Sequence, residues 1–320
     1  MASNFAVDRT APRLRSPRPV TAAFGVAGPR SGFAWEEVMT SIKERLRSGK
    51  EPLAGFVNVI PSPVATQAVA AAGADVVLIG QEHGPIGPES LHAMVASTAG
   101  TSCSPWVRVA RRDEACVKTA LDAGAEGIAF PLVDTADEAA DCVALTRYPP
   151  QGRRGWGPFV AHSRWSVNLF DYTDRRGTAT VCGLWIETRR ALENIREICK
   201  VEGVDYLMIA PFDLSIDLGV RLDAPELVEA ITLAERVILE AGVPRWSGVD
   251  ERGNAGGCEE GIPPALAQLR CADLEAVCPP NDGVAGYVIA VSSGQCGGGA
   301  PPNSTIERTA RAARAGEAER

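Results

Sequence analysis

Five residues of this chain stand where chemistry is possible: Glu82, His83, Arg108, Glu187 and Asp213. Each lies at or just beyond the end of a short apolar run, and a barrel of parallel strands gathers such ends on one face. Glu187 and Asp213 are hard oxygen donors. Two such carboxylates plus water suit Mg²⁺ or Mn²⁺ and leave coordination positions open. An open position admits a 2-oxo acid through its carboxylate and keto oxygens, with the cation as Lewis acid toward a developing enolate. Arg108 carries the charge to stabilise that oxyanion. His83 supplies an imidazole, the side chain suited to moving a proton near neutral pH. Plainer readings stand beside these. Glu187, next to Thr188 and Arg189, favours the start of a helix; Asp213 caps the turn before Leu214-Ser215; His83 is a loop histidine. Arg108 resists a plain reading, because an unpaired guanidinium in an apolar strand is costly. His92 reads as structural on a helix opened by Pro88, and His162 belongs to an irregular insertion.

The elements that must position these groups follow from hydrophobic rhythm. Apolar, β-rich runs at 53–60, 75–79, 105–109, 127–130, 180–187 and 205–209 alternate with helical patterns at 63–72, 88–99, 113–123, 135–147 and 189–201. A short apolar run followed by a helix is a βα unit of a parallel sheet. Runs at 243–249 and 287–291, with a helix at 225–241, bring the total to eight strands, and eight units close a (β/α)8 TIM barrel. A doubly wound sheet is the alternative, but no Gly-x-Gly-x-x-Gly follows the first strand. A helix is also expected over 35–48, ending before Gly49. The predicted organisation is a disordered basic leader over 1–34, a catalytic barrel over 35–292, and a Gly/Pro linker with a polar C-terminal helix over 293–320. Two segments break the rhythm. One is 149–177, rich in Arg, Gly, Trp and Phe, and of a length that suggests a functional loop. The other is the irregular C-terminal region, where 253–283 matches the barrel pattern poorly.

Composition narrows the class. A formal net charge of −8 argues against a nucleic-acid surface over the whole chain, and no run of apolar residues approaches a membrane span. The cysteines number nine, form no Cys-x-x-Cys, and in part fall inside apolar patterns, as at Cys116, Cys142, Cys182 and Cys199. That fits a reducing, cytoplasmic setting rather than a disulfide scaffold or a thiolate zinc site. The leader's arginines would suit a mitochondrial transit peptide, but Pro12, Pro17 and Pro19 interrupt the amphipathic helix this requires.

At these residues the chain resembles the HpcH/HpaI family of metal-dependent pyruvate aldolases, which takes in macrophomate synthase. The resemblance rests on ordered motifs: Leu53-Ala-Gly-Phe, Asp75-Val-Val-Leu-Ile with Glu82-His83-Gly84, Val107-Arg108-Val109, Leu121-Asp122-Ala123-Gly124-Ala125, Pro149-Pro150-Gln-Gly152-Arg-Arg154-Gly155, Ile186-Glu187-Thr188 and Pro211-Phe212-Asp213-Leu-Ser215. It implies a (β/α)8 barrel assembled as a homo-oligomer, a hexamer or a trimer. It also implies reversible aldol cleavage of 4-hydroxy-2-oxo acids through a pyruvate enolate. Carried over position by position, Glu187 and Asp213 would hold Mg²⁺ or Mn²⁺, and His83 would be the acid/base with Asp122 as its orienting partner. Arg108 would bind the enolate oxygen, and Trp185, Ala210, Pro211 and Phe212 would line the substrate.

The chain departs from the family pattern at three places near this site. Gly80 stands where an Asp is usual, Trp185 where a Gln is usual, and Ala210 where a Gly is usual. Loss of polar groups around a metal typically lowers affinity or activity 10–100-fold. Trp185 is expected at the mouth of the barrel, narrowing the acceptor pocket, with Trp156, Phe159 and Trp165 of the insertion extending an apolar wall. Such a wall would suit the bulkier acceptor of a macrophomate-type enzyme that decarboxylates oxaloacetate to the same enolate. The other alternative is a non-catalytic relative that keeps the barrel as a binding module.

Overall fold

The computed structural model describes residues 41–50, 53–248 and 286–292, with side chains as far as Trp246. The leader, residues 35–40 of the first expected helix, the segment 253–283 and the C-terminal linker and helix lie outside the described residues. Seven strands run parallel in chain order: β1 (Leu53–Asn58), β2 (Val76–Gly80), β3 (Ser104–Arg108), β4 (Gly127–Phe130), β5 (Val181–Ile186), β6 (Tyr206–Ile209) and β7 (Arg245–Gly248). They curl into a sheet whose outer face carries α2 (Pro63–Ala71), α3 (Pro88–Ala96), α4 (Glu114–Asp122), α5 (Ala136–Thr146), α8 (Arg189–Glu193), α9 (Ile195–Ile198), α10 (Pro211–Leu218) and α11 (Pro225–Glu240). Helix starts follow local chemistry. Ser62, Asp113, Thr135 and Thr188 each accept a backbone N–H of the first turn, and Pro opens α2, α3, α10 and α11.

The eighth strand corrects the expectation of a regular (β/α)8 barrel. β8 (Gly286–Ser292) pairs with both β7 and β1, and it runs antiparallel to each. A parallel strand needs a helical crossover before it, whereas an antiparallel one does not. The expected helix over 189–201 is also two short helices, α8 and α9, separated at Asn194, whose amide donates to Asp134 O at 2.9 Å and to Arg190 O at 3.0 Å.

Strand residues alternate between two environments, as the pleat requires. Val107, Ile128, Leu184, Ile186, Leu207 and Ile209 pack outward with the helices. Trp106, Trp185, Tyr206, Met208 and Trp246 fill the inside. Trp106 stacks on Tyr206 with ring centroids 5.1 Å apart, and Trp246 meets both. This aromatic layer takes the space that glycines on neighbouring strands leave. A Cβ on Gly183 would lie 2.0 Å from the Tyr206 ring, and one on Gly127 2.7 Å from Trp106.

The insertion over 149–177 contains α6 (Ala161–Arg164) and α7 (Tyr172–Arg176), and it lies at the end of the sheet where strands begin. Its contacts show this. Arg154 meets Asp122 at the end of α4, Arg164 donates to Thr98 Oγ1 at 2.7 Å just past α3, and Arg176 meets Glu126 at 2.9 Å just before β4. The expected apolar wall of Trp156, Phe159 and Trp165 at the mouth is therefore corrected. An excursion between a helix and the next strand is delivered to the far end of the sheet from the strand C-termini.

That same end is closed by α1 (Ile42–Ser48), whose Ile42 and Leu46 enter the inner core. A Ser41–Glu44 capping box starts it, and Gly49 ends it in the left-handed region. Lys43 reaches the buried Asp205 carboxylate at 2.9 Å and Thr180 O at 2.8 Å. Arg47 and Arg147 approach the same carboxylate at 3.1 and 3.6 Å. Burial pulls the Lys43 pKa down to about 8, against the attraction of Asp205. Removing this carboxylate strands buried cations, so Asp205→Ala is expected to destabilise the fold by about 3–5 kcal/mol in denaturant titration. A change under about 1 kcal/mol would show that the cluster is solvated and weak.

Candidate active site

The opposite end of the sheet gathers a different set of charges. β2 ends at Gly80, and the chain turns through Gln81, Glu82 and His83. Gln81 N donates to Arg108 O at 2.9 Å and its amide to Ile86 O at 3.1 Å, which fixes the turn on β3. Gly84 is required by close approach, since a Cβ there would lie 2.5 Å from Gly80 O. Arg108 ends β3, and Glu187 follows the last residue of β5. Asp213 sits in the first turn of α10, behind Ala210 and Pro211.

Arg108 is the cation at the centre. Its Nη2 lies 2.9 Å from Glu187 Oε1 and forms a second ion pair with Glu82. Glu187 Oε2 accepts from the backbone N–H of Leu132 at 2.5 Å. Leu132 holds φ at +54° to present that donor, a conformation uncommon for a residue other than glycine. Beneath the guanidinium lies Trp185, with Arg108 Cζ 3.6 Å from its ring centroid. The indole thus faces inward as expected, but it is buried under Arg108 rather than open to an acceptor.

The electrostatics are lopsided. Burial pushes the Glu187 carboxyl up to about 7, opposed by Arg108 and the Leu132 N–H and reinforced by Glu82 and Asp213. Glu82 is likewise raised, chiefly by burial, with Arg108 and His83 pulling the other way and Asp213 adding to it. Two carboxylates therefore pair with one guanidinium while Asp213 bears on both of them, and acidic groups outnumber the cation. Among the described residues no cluster of three His, Cys, Asp or Glu side chains forms a ready cage for a metal. The donor set fits a hard divalent cation all the same. Glu187 and Asp213 are oxygen ligands on an open face, and no ion pair or hydrogen bond engages the half-buried Asp213 side chain among the described residues.

The other expected residues are dispersed. His83 is exposed, with Nε2 3.7 Å from Glu82 Oε2. Ala210 and Pro211 are buried at the start of α10, and Phe212 is exposed. Asp122 is not brought to His83 within one chain. It ends α4 at the far end of the sheet, where Arg154 Nη2 donates to it at 3.3 Å. Burial raises its pKa against the pull of that arginine. The departure at Gly80 has a local meaning. Gly80 is in register with Arg108, and a Cβ there would lie 3.0 Å from Val59 Cγ1. Sequence reasoning gave Leu132 no role, because a backbone donor at positive φ leaves no side-chain signature. It noted Glu82 but assigned it no partner; an acid immediately before His83, opposite an inward arginine, was the signal.

Comparison with known proteins places the chain in a family. Residues 56–249 match the model of the HpcH/HpaI aldolase/citrate lyase family. The chain is 36% identical over 203 residues to a 2-keto-3-deoxy-L-rhamnonate aldolase of Escherichia coli, covering 62% of this chain and 75% of that protein. It is 37% identical over 180 residues to a 4-hydroxy-2-oxo-heptane-1,7-dioate aldolase of Salmonella arizonae, covering 56% and 68%. The solved structure of macrophomate synthase aligns with a TM-score of 0.63 at 27% identity, covering 74% of this chain and 89% of that one. The strand-end charges and these matches lead to one conclusion: the chain belongs to the HpcH/HpaI aldolase/citrate lyase family.

Proposed function

We propose that this chain is a divalent-metal-dependent carbon–carbon lyase that cleaves and forms 4-hydroxy-2-oxo acids through a pyruvate enolate. The observation that carries the reading is the buried Arg108–Glu187 pair at the strand ends, with Glu82 and Asp213 bearing on it. The aldolase names of relatives at 36–37% identity support the same reaction class. Glu187 and Asp213 would hold Mg²⁺ or Mn²⁺, which when bound supplies Lewis-acid polarisation of the 2-oxo acid. Arg108 offsets the charge that grows on the oxo oxygen. The Leu132 N–H and Arg108 together fix the orientation of Glu187. His83, exposed at the face, takes and returns a proton. Buried Trp185, Ala210 and Pro211 support the substrate from below, and exposed Phe212 is free to meet the acceptor.

The decarboxylating reading has the likeness to macrophomate synthase behind it, but the insertion no longer favours a bulky acceptor. Supplying oxaloacetate and following its loss separates the two. The partners are small 2-oxo acids, with no role for nucleic acid or membrane. No helix among the described residues is long and apolar enough to cross a membrane. The reading also includes a cytoplasmic homo-oligomer. If Asp122 is to orient His83, it must come from a second copy, because one chain holds the two at opposite ends of the sheet.

With Mg²⁺ and pyruvate in D₂O, the protein is expected to exchange the methyl protons of pyruvate, as followed by NMR. Glu187→Gln should lower this by on the order of 100-fold; unchanged exchange would remove Glu187 from the site, and no exchange by the natural chain would favour the non-catalytic reading. The sign of the pH dependence follows from the raised Glu187 pKa of about 7. Binding a cation expels the proton that Glu187 holds below this value. Mg²⁺ affinity should therefore rise about tenfold per pH unit up to about 7 and then flatten, as measured by calorimetry. In the metal-free chain the same carboxyl favours the fold at low pH, and this contribution is lost as pH rises from about 4.5 to about 7. The second-copy role is checked by mixing. His83→Ala and Asp122→Ala should each be impaired, and hetero-oligomers of the two should regain activity. No recovery on mixing would place Asp122 outside the reaction.

A further inference from the structure

Trp185 and Glu187 are two residues apart along β5 and face the same inner side of the sheet. Arg108 arrives from β3, two strands away. The intervening strand offers Ala129 in register with Arg108, and Gly183 lies in register with Ala129 on β5. With only the small Ala129 side chain between, the guanidinium crosses β4 and comes to rest over the indole, its Cζ 3.6 Å from the ring centroid. The indole cannot sink away from it, because Trp185 packs in one buried cluster with Trp106, Tyr206, Met208 and Trp246.

The polar contacts of Arg108 are unevenly spread. Both of its ion pairs, to Glu82 and to Glu187, use the same nitrogen, Nη2. Nε is buried with no hydrogen-bond partner. Two carboxylates on a single nitrogen fix a point, but they leave the plane of the group free to turn about that point. A flat contact with an aromatic face removes that freedom, since the ring quadrupole attracts the cation and the two planes align.

We propose that Trp185 is a positioning residue for Arg108, its indole face setting the plane of the guanidinium so that the donors not engaged by Glu82 and Glu187 stay turned to an oxyanion of the substrate. This rests on the 2-oxo acid reading above. Oxalate, a planar dianion shaped like pyruvate enolate, is the probe. In the Mg²⁺-loaded protein, Trp185→Leu should weaken oxalate binding about tenfold by calorimetry, and Trp185→Phe, which keeps an aromatic face, should restore most of the loss. In an Arg108→Lys background the Leu substitution should add less than about twofold, because its effect runs through the guanidinium. The Arg108 Nε–Hε resonance, assigned by its loss in Arg108→Lys, should be displaced upfield by the indole ring current, and it should move downfield in Trp185→Leu. An undisplaced resonance, losses that multiply in the double variant, or no oxalate binding by the natural chain would each overturn the proposal. Should the Leu variant not fold, Trp185→Phe carries the test through a partial change in the same resonance and affinity. Failure of the lyase reading is seen separately, as absent pyruvate exchange in a protein that still binds oxalate through a stacked Arg108.

Discussion

A guanidinium buried among apolar strands must be compensated, and the strand-end face of this protein is organised around that requirement. Arg108 is 9% exposed, and leaving it unpaired there would be costly. Glu187 and Glu82 supply the countercharge, the Trp185 ring supplies a soft face, and Ala129 on the neighbouring strand leaves room. Compensation then overshoots, because Asp213 adds a further negative charge. What remains is a buried site with an appetite for positive charge.

The two ends of the sheet solve opposite problems with the same materials. At the end where strands begin, one carboxylate, Asp205, faces three cations, and the surplus is quenched by Thr180 O. At the other end one cation, Arg108, pairs with Glu82 and Glu187 while Asp213 adds to the negative field, and the one backbone donor there, the Leu132 N–H, meets a single oxygen of Glu187. The first cluster bears on stability and the proposed binding site lies at the second, the division of labour expected of barrel enzymes. The insertion belongs to the first end. Its arginines tie down the ends of α3 and α4 and the start of β4 rather than shaping a pocket.

Much of this was legible in the sequence. The runs at 127–130 and 205–209 fall within a residue of β4 and β6, because a strand buried on both faces is an uninterrupted apolar run. Glu187, Arg108 and Asp213 were legible as polar residues closing such runs. The direction of β8 was not, since an apolar heptad reads alike in either direction and only the connection before it decides. Nor was the distance between Asp122 and His83, because a motif fixes a residue on its helix and not the end of the sheet to which that helix delivers it. Trp185 was expected at the barrel mouth from the family position it occupies, and it lies inside with Trp106, Tyr206 and Met208. That it lies under Arg108 rather than borders an acceptor depends on Ala129, a strand neighbour whose smallness has meaning only in register.

Leu132 shows where the site is insensitive to side-chain chemistry. Its contribution to Glu187 is an amide hydrogen held in place by a left-handed backbone, so no truncation of the leucine side chain deletes it. Selection at this position acts on φ. Gly or Asn would hold the same donor with less strain, whereas Val or Ile would add a cost of order 1–2 kcal/mol, and Pro would abolish the donor altogether. Variation at residue 132 among related enzymes should thus track backbone tolerance and carry no record of substrate preference.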